Sequence, residues 1–412
     1  MRLDTMNKLF FIFLALVLNL SAALYEPAED RRDRSVLVSL DVDESFLQDA
    51  EFQTLKNNYA VYRQQMFLRI LSDAYIYQPL IKQMIADAGL PPALVYMAMA
   101  ESSFKPRAYS TARATGIWQF MPATAKRYGL RVDMYVDERR DPIKSTQAAI
   151  RYLNDLHAEF GKWSLAIMAY NCGEGRVRSA IRQAGSDDIA DLLKVRKGTK
   201  RQYLPQETRG YLRKVLAMAS LAESETLMLS ASSEHLLNRG SSYPMVTVQV
   251  AAGATLQEIA KAAGESVESL RLLNPSLRYE FVPPYGESFD LNIPYEKAAL
   301  FKQNYVPKEN ANRFMVYQVQ KGDSLGGIGN RFGVSYAMIK DFNNLKSNLI
   351  RPGQHLVIPV IKPQRANDYI VQRGDSLQSI ARKFNTSVER LKDANNLQHN
   401  TIYAGDKLII RR

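Results

Sequence analysis

The stretch Ala93-Leu94-Val95-Tyr96-Met97-Ala98-Met99-Ala100-Glu101-Ser102-Ser103-Phe104 carries one carboxylate in an otherwise apolar run. Strand-like alternation is missing, and the spacing predicts a helix. Glu101 falls four residues after Met97, three after Ala98 and three before Phe104, on the apolar stripe of that helix. Burial there disfavours the charged form and raises the carboxyl's pKa. A carboxylic acid still protonated near neutral pH is what a general acid needs. The same spacing also fits an ordinary glutamate at a helix end, paired with Lys105 or Arg107.

Outward from this run the helical pattern continues from Ser45 to about Ala222. Leu55, Tyr59, Tyr62, Met66 and Ile70 recur at threes and fours. Pro91-Pro92 opens one helix and Pro122 another, with Gly129 placed to stop it. Residues 24–44 are charged and without periodicity, and we expect a mobile lead-in there. This half predicts an all-α domain over 75–228, preceded by a helical extension over 24–74.

The second half changes character. Tyr317, Gly322, Asp323, Ser324, Leu325, Ile328, Phe332, Asn343, Asn344 and Leu345 recur, without a gap, 52 residues later. Their counterparts are Tyr369, Gly374, Asp375, Ser376, Leu377, Ile380, Phe384, Asn395, Asn396 and Leu397. Such a match marks an internal repeat. Each copy reads as strand, Gly-Asp turn, serine-capped helix, second helix and strand, over 315–360 and 368–412. A worn copy spans 243–297: Gly253, Leu256, Ile259, Leu270 and Asn274 fall in step, but Ala254 replaces the aspartate. Proline and polar residues at 298–314 and 361–367 predict tethers between beads. The fold class expected is multidomain α+β, a helical domain followed by small βααβ modules.

Composition narrows the setting. Hydrophobic residues at 46% and charged residues at 23% describe globular domains rather than disorder. A net charge of +12 suits polyanionic surroundings, yet no basic run is interleaved with aromatics, which argues against nucleic acid. Arg2 and Lys8 precede the apolar run Leu9–Leu18, and Ser21, Ala22 and Ala23 follow it. This is the order of a secretory signal, residues 1–23, with cleavage near Ala23; an uncleaved anchor is the alternative. Ten apolar residues are few for a bilayer span, and no later stretch is longer, so no stable transmembrane segment is expected. The single cysteine, Cys172, can form no intramolecular disulfide and does not follow the signal, so a lipoprotein is not expected. We expect an exported protein of the periplasm or cell envelope. The four histidines are scattered, and neither metal nor cofactor is expected.

Four elements follow one another in the helical half. They are Glu101-Ser102-Ser103-Phe104 with Ser110 after it, Gly116-Ile117-Trp118-Gln119-Phe120-Met121-Pro122, Ala169-Tyr170-Asn171-Cys172-Gly173-Glu174-Gly175, and Glu207-Thr208-Arg209-Gly210-Tyr211. In this order they resemble the soluble lytic transglycosylase family, with its goose-type-lysozyme-like fold. The resemblance implies that Glu101 is catalytic, first as acid and then as base. It implies that Ser110, Gln119, Tyr170, Asn171, Glu207 and Tyr211 line the substrate cleft. The implied reaction cleaves peptidoglycan between N-acetylmuramic acid and N-acetylglucosamine and leaves an anhydromuramic end. It uses one carboxylate where most glycosidases use two. Asp137, Glu138, Asp141 and Glu174 leave a second carboxylate open. Rival readings are a hydrolytic muramidase or chitinase, and a non-catalytic wall-binding protein. Cys172 stands where the family has a small alanine and reads as packing.

The Tyr-x-Val-x-x-Gly-Asp-Ser-Leu opening and the Asn-Asn-Leu segment resemble the LysM family. That resemblance implies modules binding N-acetylglucosamine-containing glycans such as peptidoglycan. The implied contacts are Gly322, Asp323, Ser324, Asn348 and Ile350, and Gly374, Asp375, Ser376, Asn400 and Ile402. Each also has a plain structural role open to it, in turns, caps or core.

Overall fold

The computed structural model describes residues 28–194, 196–197, 201–202, 204–237, 245–307, 314–359, 367–395, 397 and 399–410. The expected signal segment 1–23 lies outside them.

The helical half begins with α1 (Ala28–Ser39), α2 (Ala50–Asn57), α3 (Gln64–Ala74), α4 (Gln78–Asp87) and α5 (Val95–Ser102). It continues with α6 (Pro122–Arg127), α7 (Pro142–Phe160), α8 (Trp163–Cys172), α9 (Glu174–Ala184), α10 (Ile189–Lys194), α11 (Gln206–Ala222) and α12 (Glu225–Ser230). Among the described residues of this half a short hairpin pairs β1 (Arg196–Lys197) with β2 (Arg201–Gln202). Helix α5 is apolar on every face as far as Ala100, and Val95 through Ala100 are all buried. A helix without a polar face has to sit inside others. Helix α11 packs against α1, α2, α5 and α8 and forms the spine of the domain.

Local chemistry fixes the helix ends. Asp141 caps α7 by accepting from the N–H groups of Ile143 at 2.9 Å and Lys144 at 3.0 Å, with Pro142 in the first turn. Gly161, at φ 71°, ends it.

The mobile lead-in expected at 24–44 is overturned from Ala28 onward. Helix α1 buries Leu37, and Leu40 follows it fully buried. Asp33 is buried in an ion pair with Lys56 of α2. The charge run hid this because one helix face supplies the ion pair while the apolar residues come only at its end.

Beyond the helical half, the worn copy has β3 (Met245–Ala251), α13 (Leu256–Ala263), α14 (Val267–Leu273) and β4 (Ser288–Pro294), with β3 paired to β4. The tether expected from 298 is overturned too, since Ala298–Asn304 is helix α15, packed on α13. Phe301 is buried and stacks on Tyr305 at 4.7 Å between ring centres.

The next module has β5 (Phe314–Gln318), α16 (Leu325–Phe332), α17 (Tyr336–Phe342) and β6 (His355–Pro359). The last has β7 (Asn367–Ile370), α18 (Leu377–Lys383), α19 (Val388–Asn395) and β8 (Lys407–Ile410). Their antiparallel registers agree: Tyr317 faces Leu356 as Tyr369 faces Leu408.

One asparagine locks each of the three copies. Asn343 donates to the carbonyls of Ile339 at 2.7 Å and Val357 at 2.8 Å, and accepts from Val357 N–H at 2.7 Å. Asn395 does the same with Leu391 and Ile409. Asn274 does so with Leu270 and Asn292. The side chain ties the second helix to the closing strand and satisfies backbone groups that the two-stranded sheet leaves unpaired.

Candidate active site

Glu101 sits one residue from the end of α5. The helix stops because Ser103 and Phe104 both take left-handed backbone, at φ 55° and 56°. Their N–H groups close on the Met99 and Ala98 carbonyls at 2.9 and 3.3 Å. Two non-glycine residues in that region are uncommon and are held from outside. The Tyr77 hydroxyl donates to the Phe104 carbonyl, and the Ser102 hydroxyl donates to the Ile117 carbonyl at 2.9 Å.

Three residues of α11 bear on Glu101 from one face: Glu207, Tyr211 and Lys214, spaced four and three apart. Burial pushes the Glu101 carboxyl up to about 7; Tyr211 and Lys214 oppose that shift and Glu207 adds to it. The Tyr211 hydroxyl is buried, interacts with the Glu101 carboxyl, and has no partner of full hydrogen-bond geometry. Lys214 Nζ donates to the Ala100 carbonyl at 2.5 Å, and burial lowers its pKa. Sequence reasoning missed Lys214. Its spacing from Glu207 and Tyr211 was the available signal.

Helix α8 supplies the next wall. The Tyr170 hydroxyl donates to the Trp118 carbonyl at 2.7 Å, and burial followed by the charge of Glu101 pushes the phenol well up. Asn171 Oδ1 accepts from the Thr208 hydroxyl at 2.8 Å, which joins α8 to α11. Cys172 is partly buried against the domain core, as packing requires.

The segment 108–120 closes the other side. Gln119 has φ 48°, and its Nε2 donates to the Gly116 carbonyl at 2.8 Å. Trp118 is fully buried, with its indole N–H on Thr146 Oγ1 at 2.9 Å. Ser110 lies further along the loop, where its hydroxyl accepts from Ala114 N–H at 3.0 Å. Glu101, Tyr170, Glu207 and Tyr211 thus come together around one carboxyl. Gln119 is joined to them through Trp118, Asn171 through Thr208, and Ser110 only through its loop.

In the two intact modules, several expected contact residues have inward roles. Asp323 accepts from the Tyr317 hydroxyl and Gln320 N–H, both at 2.7 Å, and Ser324 caps α16. Asp375 accepts from the Tyr369 hydroxyl at 2.6 Å and Gln372 N–H at 2.8 Å, and Ser376 caps α18. Gly322 and Gly374 take φ 91° and 96° to make the turns. Ile350 and Ile402 pack against their module cores, while Asn348 and Asn400 are exposed. Among the described residues no backbone hydrogen bond joins Gly322–Leu325 to 347–350.

The worn copy differs at that place. Its turn is bonded shut, with Leu256 N–H on the Glu280 carbonyl at 2.8 Å and Gly253 N–H on the Pro283 carbonyl at 3.0 Å. Counted from the shared asparagine, Tyr279 and Phe281 occupy the places of Asn348 and Ile350. Both rings instead pack on Tyr135 of the helical half, at 6.5 and 6.3 Å between centres. The backbone follows: Asp137 N–H bonds the Ser276 carbonyl and Arg278 N–H bonds the Tyr135 carbonyl, each at 2.9 Å.

Comparison with known proteins agrees with this anatomy. The Transglycosylase SLT domain matches residues 79–193, the LysM domain matches 317–359 and 369–411, and the LysM-like domain of lytic transglycosylase MltD matches 245–310. Membrane-bound lytic murein transglycosylase D of Escherichia coli (strain K12) is 31% identical over 366 residues, 82% of this chain and 76% of that protein. The cell wall-binding protein YocH of Bacillus subtilis (strain 168) is 41% identical over 93 residues, 23% of this chain and 32% of that protein. The crystal structure of the 70 kDa soluble lytic transglycosylase from Escherichia coli matches with TM-score 0.29 and 23% identity, over 40% of this chain and 26% of that one. With that degree of identity over three quarters of the relative, the chain belongs to the membrane-bound lytic murein transglycosylase D family: a peptidoglycan lytic transglycosylase with LysM modules that bind the wall.

Proposed function

We propose that Glu101 is the single acid and base of this cleavage. The observation that carries the reading is its buried carboxyl, pushed up to about 7 between Tyr211, Lys214 and Glu207. At neutral pH a large fraction stays protonated and can be given away. The proton goes to the oxygen bridging N-acetylmuramic acid and N-acetylglucosamine, and the C1–O bond breaks. The N-acetyl oxygen of the muramic acid supports the positive charge at C1. Glu101, now a carboxylate, takes the proton of the same sugar's primary hydroxyl, whose oxygen closes on C1. The attacking group is already attached to the sugar, which lets it outcompete water. Tyr170 and Tyr211 orient the carboxyl and the sugar, while Gln119, Asn171, Ser110 and Glu207 line the cleft. Lys214 steadies the carboxylate once the proton has left.

Glu101→Gln preserves size and removes the transferable proton. The variant should fold and release no muropeptides from sacculi. Turnover near that of the parent would overturn the assignment. Mass spectrometry tests the product: an anhydromuramic end is one water lighter than the end left by hydrolysis. Hydrolysis products that vanish with Glu207→Gln would point to a two-carboxylate muramidase.

We further propose that 75–228 acts as the catalytic unit and that 315–360 and 368–412 hold the glycan. Exposed Asn348 and Asn400, together with Gly322 and Gly374, support contact beside each turn, with Ile350 and Ile402 beneath. Export without a lipid anchor is supported by the order of Arg2, Leu9–Leu18 and Ala23, with no cysteine immediately after it. Membranes washed with high salt and free glycan should release the protein; retention until detergent is added would overturn this.

A further inference from the structure

Docking of the worn copy gathers arginines around a single acid. Asp137 is buried, and its Oδ2 lies 2.9 Å from Arg139 Nη2, 3.6 Å from Arg278 Nη2 and 4.0 Å from Arg140 Nε. Three cations therefore share one anion. Arg139 takes most of it, through a second bond from Nε to Oδ1 at 2.8 Å. Its Nη1 also donates to the Arg113 and Phe120 carbonyls, at 2.9 and 3.2 Å. Arg139 thus has a partner at each of its three nitrogens and is buried, a structural clamp on the loop that carries Gln119.

Arg140 and Arg278 are not saturated. Arg140 Nε is buried with no hydrogen-bond partner. The two side chains remain 25% and 35% exposed, so a solute can reach them. The nearby acids are committed elsewhere: Glu138 to Lys144 and Arg131, and Asp141 to capping α7. Burial, and then the charges of Arg278, Arg107 and Arg139 against that of Asp137, weaken the hold of Arg140 on its proton. A guanidinium with its Nε held out of water and without an acceptor, crowded by other cations around one acid, is eased by a further anion at its exposed nitrogens.

The place suits the substrate. The Arg139 carbonyl presses on Gly116, whose own carbonyl holds Gln119. Arg140 is therefore next to the loop that lines the cleft. Peptidoglycan carries short peptides on its glycan, and peptides end in free carboxylates. An extended stem of four residues reaches roughly 13 Å.

We propose that Arg140 and Arg278 form a subsite for a carboxylate of the substrate's stem peptide, completed by the worn LysM copy. This copy then serves recognition in the catalytic unit, having lost its own groove. The proposal rests on the cleft around Glu101 being the site of cleavage.

The test compares the full-length protein on two substrates: intact glycan strands bearing peptides, and the same strands stripped of peptides by an amidase. The quantity read is the ratio of kcat/KM on the first to kcat/KM on the second. We expect the parent to favour peptide-bearing strands. In Arg140→Gln and in Arg278→Gln the ratio should fall about tenfold, the effect of one charge-assisted hydrogen bond. Arg278→Lys should keep part of it, since the charge remains while the forked geometry is lost. A ratio unchanged in folded Arg140→Gln and Arg278→Gln would overturn the subsite, even if both rates fell together. Failure of the Glu101 reading looks different, because Glu101→Gln would then still cleave both substrates.

Discussion

The Tyr170 hydroxyl donates to the Trp118 carbonyl at 2.7 Å, and this bond ties helix α8 to the loop that holds Gln119. The ring of Tyr170 also meets Phe120 edge-on at 6.3 Å, and it lies 5.1 Å from the ring of Tyr152. Tyr170→Phe keeps the ring contacts and leaves the carbonyl without this donor. It should cost about 1 kcal/mol of stability and lower kcat by a larger factor than its effect on folding. Thermal melts and sacculus digestion check the two effects separately. Parent-like kcat would show that the loop is held without this bond.

The acid proposed at Glu101 sets a pH limit. Its pKa rises from 4.5 to about 7 on folding. As the acid it must be protonated in the free enzyme, so kcat/KM should fall as pH rises through about 7. Stability runs the same way. The contribution of this group is complete below about pH 4.5 and is lost as pH rises through about 7. Glu101→Gln cannot ionise, so it should melt higher than the parent above pH 8, by up to roughly 3 kcal/mol. A melting difference that does not change between pH 5 and pH 9 would rule this out.

Gly116 should tolerate no side chain. It has φ 86°, and a Cβ there would stand 1.7 Å from the Arg139 carbonyl oxygen. Neither partner can move, because Arg139 is clamped on Asp137 and on the loop. Gly116→Ala should cost more than about 3 kcal/mol and abolish activity. Gly175→Ala is the control, with open space around its Cβ position.

The modules depend on their asparagines. Asn343→Ala deprives the backbone N–H and carbonyl of buried Val357 of their partners. The loss should be about 2–4 kcal/mol, a large share of what so small a domain has. The variant should pellet less with insoluble peptidoglycan, while its muropeptide release in solution is spared. Full retention with the module still folded would contradict it.

The closed turn of the worn copy makes a further prediction. A chain ending after Tyr305 keeps that copy but lacks both intact modules. It should stay in the supernatant where the full chain pellets. Pelleting to the same extent would show that Gly253–Leu256 still admits glycan.

Much of this was written locally. The single carboxylate on an apolar helix, the proline and glycine that bound helices, and the 52-residue echo of Gly-Asp-Ser-Leu all depend on neighbours within one or two turns. Such patterns survive in the sequence because helix periodicity, capping and turn geometry are properties of short segments. Glu207 and Tyr211 were expected at the cleft from the motif they share with the family, while Lys214, three residues further along the same helix, was missed.

What the sequence alone determined, then, was the helical half, the repeats and which residues to propose for the chemistry. Tertiary structure decided the environment of those residues. Glu101 differs from an ordinary helix-end glutamate because it is buried in the folded domain, with Glu207, Tyr211 and Lys214 of α11, more than a hundred positions later, bearing on it. The charge run before Ser39 sits in a helix whose Asp33 meets Lys56 and whose end buries Leu37. Tyr279 and Phe281 stand where the intact modules have Asn348 and Ile350, yet they pack on Tyr135. Desolvation and ion pairing depend on which distant groups arrive, and chain folding alone brings them together.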